Sequence, residues 1–106
     1  MKKISILEMG ALIKNFWAPL DLFQINDIKV RLVKIKGKYH WHKHTEEDEI
    51  FLVVEGQMSI HFKDKEISLG ANEAIFVPKN VEHLTESKDG ALIMLIEPVG
   101  IKTSGD

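Results

Sequence analysis

Apolar residues in this chain fall into short runs, and most of the runs alternate. Over residues 57–63, Met58, Ile60 and Phe62 lie on one side and Gln57, Ser59, His61 and Lys63 on the other. A period of two marks a half-buried strand. Residues 28–36 read the same way, with Val30, Leu32, Lys34 and Lys36 on one parity and Arg31, Val33 and Ile35 on the other, until Gly37 breaks the run. Residues 39–44 are extended again, and 45–48 form a polar loop. Residues 50–54 are apolar throughout and short enough for a strand buried on both faces. Further short strands follow at 66–69, 74–77, 81–85 and 91–96, the last two separated by a loop at 87–90. Pro78 and Pro98 stop two of them. Asn26-Asp27, Glu55-Gly56 and Asp64-Lys65 supply turns between runs.

Residues 1–25 fit neither period. Ile4, Ile6, Leu7, Met9, Leu12, Ile13, Phe16 and Trp17 are apolar without regular spacing, and Pro19 stops any helix before it. This stretch reads as an extended arm with room for one helical turn. Many short strands, frequent turns and no long helix predict an all-β sandwich or barrel of antiparallel strands.

Composition narrows the function classes. At 106 residues the chain is expected to be one domain, and 44% hydrophobic residues suffice for one core. A net charge of -2 with scattered lysines argues against nucleic acid as a partner. Lys34, Lys36 and Lys38 are read as the wet face of a strand. The absence of cysteine removes disulfides, thiolate metal sites and a cysteine nucleophile. Glu8 interrupts the only signal-like start, and no run reaches membrane-spanning length, so a soluble cytoplasmic protein is expected.

The chemistry concentrates between Gly37 and Gly56. His42 and His44 are two apart in an extended segment, so both side chains face the same way. Glu49 heads the apolar run and shares a face with Phe51 and Val53. A carboxylate there is costly unless paired or metal-bound. His83 sits on a later strand that can return to the same interior. Three imidazoles and one carboxylate suit a divalent transition metal, Fe, Mn, Ni, Co or Zn, and leave positions open. Asp48 is a poorer ligand by parity, and Glu46, Glu47 and Asp48 read as a solvated acidic loop at the mouth of the site. Tyr39 and His40 are candidates for a supporting role beside the metal or substrate. His61 is expected to face solvent, Trp41 to point away from the ligands and pack between the sheets or at a subunit contact, and Phe51, Val53, Met58 and Phe76 to wall a pocket or fill the barrel.

These residues resemble the two motifs of a small cupin. His42-x-His44, four residues, Glu49, six residues and Gly56 match the first motif, with Gly37 one residue closer to His42 than is usual. Gly70, Pro78, Asn80 and His83 match the second, with Asn80 where glycine is common. Asn tolerates the left-handed conformation expected there. The resemblance covers residues 28–98. It implies a jelly-roll barrel, a double-stranded antiparallel β-helix, with 1–27 as an N-terminal arm and first strands and 99–106 as a polar tail. It implies metal ligation by His42, His44, Glu49 and His83, and a small oxygen-bearing ligand. Members include dioxygenases, sugar isomerases and epimerases, and non-catalytic sensing or storage modules. It also implies a homodimer, for which the apolar arm around Phe16 and Trp17 is the candidate contact.

Overall fold

A computed structural model describes residues 1–106. One helix, α1 (Ile6–Ala11), precedes seven strands: β1 (Leu20–Ile25), β2 (Ile28–Lys38), β3 (Glu49–Gly56), β4 (Met58–Phe62), β5 (Glu66–Leu69), β6 (Ala74–Val77) and β7 (His83–Pro98). All strand pairings are antiparallel. The fold is all-β and antiparallel, as the alternating runs predict, and is the jelly-roll barrel that the resemblance implies.

The short helix is the helical turn allowed for the arm. Ser5 caps it by accepting a hydrogen bond from the Glu8 backbone N–H. Asn26-Asp27 joins β1 to β2 as a two-residue turn, with Ile25 opposite Ile28 and Asn26 at φ 52°.

The longest strand, β7, organises the rest. Its first residues pair with β4, from Phe62↔His83 to Ser59↔Glu86. Its later residues pair with β2 on one edge and β3 on the other. The loop expected at 87–90 is instead a bulge within this one strand. Against β2 the register jumps from Ile35↔Ala91 to Gly37↔Ser87. Gly37 therefore bends β2 without ending it. The bulge is held locally: the Ser87 hydroxyl donates to the Gln57 carbonyl at 2.6 Å and accepts from the Gly90 N–H at 3.1 Å. Gly56 makes the adjoining handover from β3 to β4 possible. It has φ +85°, and a Cβ there would lie 2.5 Å from the Gly90 carbonyl oxygen.

Strand parity then sorts the side chains. Val33 and Ile35 from β2, Phe51 and Val53 from β3, Met58 and Ile60 from β4, and Ile93 and Leu95 from β7 form the barrel interior with Leu69, Val77 and Ala91. Each large apolar side chain fully buried in this way contributes roughly 1.5–3 kcal/mol. The opposite parity of β2 and β7 supplies a second, smaller core. Leu32 and Leu92 pack there with Ile13 and Leu22, under the arm. Leu32 is thus fully buried on the face that sequence parity shared with Lys34 and Lys36, and Lys34 itself is half-buried, donating to the Ile13 carbonyl at 3.2 Å.

Two aromatic side chains lie further out than core packing would put them. Phe76 is 57% exposed and Trp41 is 41% exposed, so neither fills the barrel. The short β6 leaves Phe76 on its outer face, and Trp41 lies under the Lys63 ammonium, 3.9 Å from the ring centroid. The polar tail also differs from expectation, because Ile101 is buried and anchors residues 101–106 against the barrel. No helix is long and apolar enough to cross a membrane.

Candidate metal centre

The extended segment before β3 is stitched to β7 at one point. His42 and His83 exchange both backbone hydrogen bonds, at 3.0 and 2.9 Å. The next turn is fixed from below. Asn80 takes the left-handed conformation, φ 66°, and donates its N–H to the His44 carbonyl at 2.7 Å. The Lys79 N–H is taken by the Asp48 carboxylate at 2.7 Å. Asp48 thus shapes the loop and stays out of the site, while Glu49 starts β3 facing inward.

His42, His44, Glu49 and His83 each offer a donor atom, and those atoms lie within 4.8 Å of one another. His44, Glu49 and His83 are buried, and His42 is half-buried. The rings are oriented by the backbone. His42 Nδ1 donates to the His40 carbonyl at 3.0 Å, and His83 Nδ1 donates to the Val81 carbonyl at 2.8 Å. A carbonyl can only accept, so both rings carry their proton on Nδ1 and keep the Nε2 lone pair. His83 Nε2 then faces a Glu49 carboxylate oxygen at 3.0 Å, and His44 Nε2 lies 3.6 Å from the same oxygen. Acceptors converging on one point are costly to bury unless a shared proton or a metal ion stands between them. A separation near 3 Å is also that of adjacent donors on an ion with bonds of about 2.1 Å. The donor set fits a divalent transition metal.

Electrostatics agree with that use. Burial holds the His42 imidazole below its ordinary range, and the neighbouring His83 and His44 rings push the same way against the His40 hydrogen bond and Glu49. A neutral imidazole is the form that binds metal.

The family assignment follows from comparison with known proteins. A family model described as a cupin domain matches residues 31–96. This chain belongs to the cupin family. It is similar to a Bacillus subtilis (strain 168) protein named "Uncharacterized protein YdbB", 39% identical over 87 residues, covering 81% of this chain and 77% of that protein. Among solved structures, a cupin-2 domain containing protein from Shewanella frigidimarina is 39% identical, covers 90% of this chain and 93% of its own, and superposes with a TM-score of 0.88. Protein NMB1881 from Neisseria meningitidis is 33% identical over 92% of this chain and 99% of its own, with a TM-score of 0.84.

In this cupin a cavity of about 50 Å³ opens beside the cluster, reached by His42 and Glu49 and walled mainly by Val33, Ile35, Phe51, Met58, Ile93 and Leu95. Trp17 and Tyr39 stack near its mouth, ring centroids 4.8 Å apart, and both line it. Trp17 therefore serves the pocket, while Phe16 beside it is 52% exposed. Burial raises the Tyr39 phenol above its ordinary value, so it remains a protonated donor. His40 stands outside the cluster, its Nε2 donating to the Ser104 carbonyl at 2.8 Å. His61 is tied to Glu86 at 2.9 Å and Glu66 at 3.8 Å on the outer side of the β4 ladder.

One buried carboxylate of the cavity wall escaped the sequence reading. Glu97 is 3% exposed, lines the same cavity, and lies 3.4 Å from the Arg31 guanidinium. Desolvation, and after it the charge of Glu49 and a hydrogen bond to Glu49, push its carboxyl up to about 7; Arg31 and Lys29 oppose them. The signal was available. Ile93, Leu95 and Glu97 share a parity at the end of an apolar run, as Glu49 shares one with Phe51 and Val53.

Proposed function

We propose that this cupin binds one divalent transition metal through His42, His44, Glu49 and His83, and presents its open positions to a small, uncharged, oxygen-bearing molecule. The observation that carries this reading is the convergence of four donors, three of them buried, at the head of an apolar cavity. A metal there supplies Lewis acidity or, with iron, one-electron chemistry. The chain's own residues set what can approach. The cavity has room for about four water-sized groups, since one such group needs roughly 10–15 Å³. No lysine or arginine lines it, so nothing in the wall neutralises a phosphate or sulfate. Tyr39, Thr85 and Thr103 line it and offer hydroxyls to orient an oxygen-bearing ligand. These features suit a metal-dependent dioxygenase or isomerase acting on a compact neutral molecule. A non-catalytic module that senses the same ligand uses the same geometry.

Metal analysis of protein purified without chelator tests the site. One equivalent is expected, lost in His42→Ala/His83→Ala. Full metal content in that double variant refutes the ligand assignment. Oxygen uptake with a diketone panel favours the dioxygenase, and binding without turnover favours the sensing module. The exposed Leu7, Leu12 and Phe16 of the arm support a homodimer, tested by light scattering.

A further inference from the structure

Two of the three histidines have their outer nitrogen fixed by a carbonyl, and the third does not. His44 is 3% exposed, and its Nδ1 is buried without a hydrogen-bond partner. Buried polar side-chain atoms are rarely left without a partner. Two carboxylates stand close by, neither of them within hydrogen-bond distance of Nδ1. Atoms of the His44 ring, Glu47 and Asp106 lie within 4.8 Å of one another.

Asp106 is held in place by the loop it faces. Its Oδ2 accepts from the Thr45 N–H at 2.7 Å and the Thr45 hydroxyl at 2.5 Å, and its backbone N–H donates to the Lys43 carbonyl at 2.9 Å. Neither side-chain bond uses Oδ1. The rest of the segment is fitted to the histidine-bearing stretch before β3. Ser104 accepts from His40, and Gly105 lies so close to His42 that a Cβ would sit 2.5 Å from the His42 Cβ.

We propose that residues 101–106 form the outer support of the metal centre, and that Asp106, with Glu47, accepts the His44 Nδ1–H and so positions His44 for ligation. This rests on the metal reading above. A ligating imidazole that gives its second N–H to a carboxylate is oriented, and its donor nitrogen is made more basic. Glu47 and Asp106 are positioning residues on this view. Glu47 then has a task beyond the solvated acidic loop.

The test is a Zn(II) titration against a chromophoric chelator, with wild-type protein first and Glu47→Gln, Asp106→Asn and the double variant after it. The asparagine oxygen still accepts from Thr45, so the tail stays anchored. The double variant is expected to bind Zn(II) ten- to a hundredfold more weakly, the usual effect of losing such a partner. The absorption bands of the Co(II)-loaded protein should shift with it. In metal-free protein, nitrogen NMR should show the His44 proton on Nδ1, a readout that a merely structural tail would not set. Affinity within twofold of wild type, or a His44 proton on Nε2, overturns the inference while leaving the metal site standing. A second equivalent of Zn(II) lost in the double variant also overturns it, because the carboxylates would then be ligands. Wild-type protein that takes up no Zn(II) overturns both readings.

Discussion

Replacing Glu97 with glutamine should reverse an electrostatic cost that the metal-free barrel carries at neutral pH. The buried carboxyl rises from 4.5 to about 7. Such a rise corresponds to roughly 3 kcal/mol, at 1.36 kcal/mol for each tenfold change in proton affinity. The sign follows from proton counting. Between pH 4.5 and 7 the unfolded chain has released this proton and the folded chain still holds it, so stability falls as pH rises. Below that window both states are protonated and the cost vanishes. Above it both are ionised and the folded state bears the whole cost. Glutamine keeps a donor for Glu49 and cannot ionise. Urea unfolding of metal-free wild type and Glu97→Gln at pH 5 and pH 8 measures the effect, and the histidine titrations common to both proteins cancel in the difference. The variant should gain roughly 2–3 kcal/mol on wild type between the two pH values. A gap that stays constant within about 0.5 kcal/mol, the usual limit of additivity, refutes the assignment of a buried, proton-retaining Glu97.

Gly56→Ala should destabilise by roughly 2 kcal/mol or more, since it adds a left-handed strain of about 1–3 kcal/mol to a backbone clash at the Gly90 carbonyl, read as a lowered urea midpoint. Ile60→Ala empties a site with 0% exposure and should cost about 2–5 kcal/mol by the same assay. Metal affinity should fall with pH as the imidazoles protonate, and because His42 is held below its ordinary 6.5, its share of that loss should begin at lower pH than for an exposed histidine, followed by Zn(II) titration across pH 5–8.

The barrel was readable because its strands keep one face dry. Met58 and Ile60 alternate with polar residues along β4, and parity alone put them inside. His42, His44 and Glu49 were readable from extended spacing and from the cost of burying a carboxylate, whereas His83, about forty residues on, was picked out by its place after Gly70, Pro78 and Asn80 in the second motif of the resemblance. What escaped depends on contacts distant in sequence. Nothing local at 87–90 distinguishes a loop from a bulge; pairing with β2 across fifty residues decides it. Leu32 looked like a member of a wet face because the arm that covers it has no period. Trp41 and Phe76 are large and apolar, yet lie on outward positions. The 101–106 segment is small and polar by composition, and only its docking against Thr45 and His42 gives it a place. Glu97 was legible and overlooked, since Pro98 directly after it suggested an ending.

The length of β7 has a consequence for how the molecule is made. β2, β3 and β4 all leave the ribosome before it, and each hydrogen-bonds to it. Until β7 is available these strands have unpaired edges, and the interior cannot close. Domains built on such distant pairings fold slowly and expose sticky edges while they wait. His83 stands at the first residue of β7, so the cluster is completed only when that strand docks. A metal bound by all four residues therefore marks a finished barrel, and a partly synthesised chain has no means of holding it in the same way.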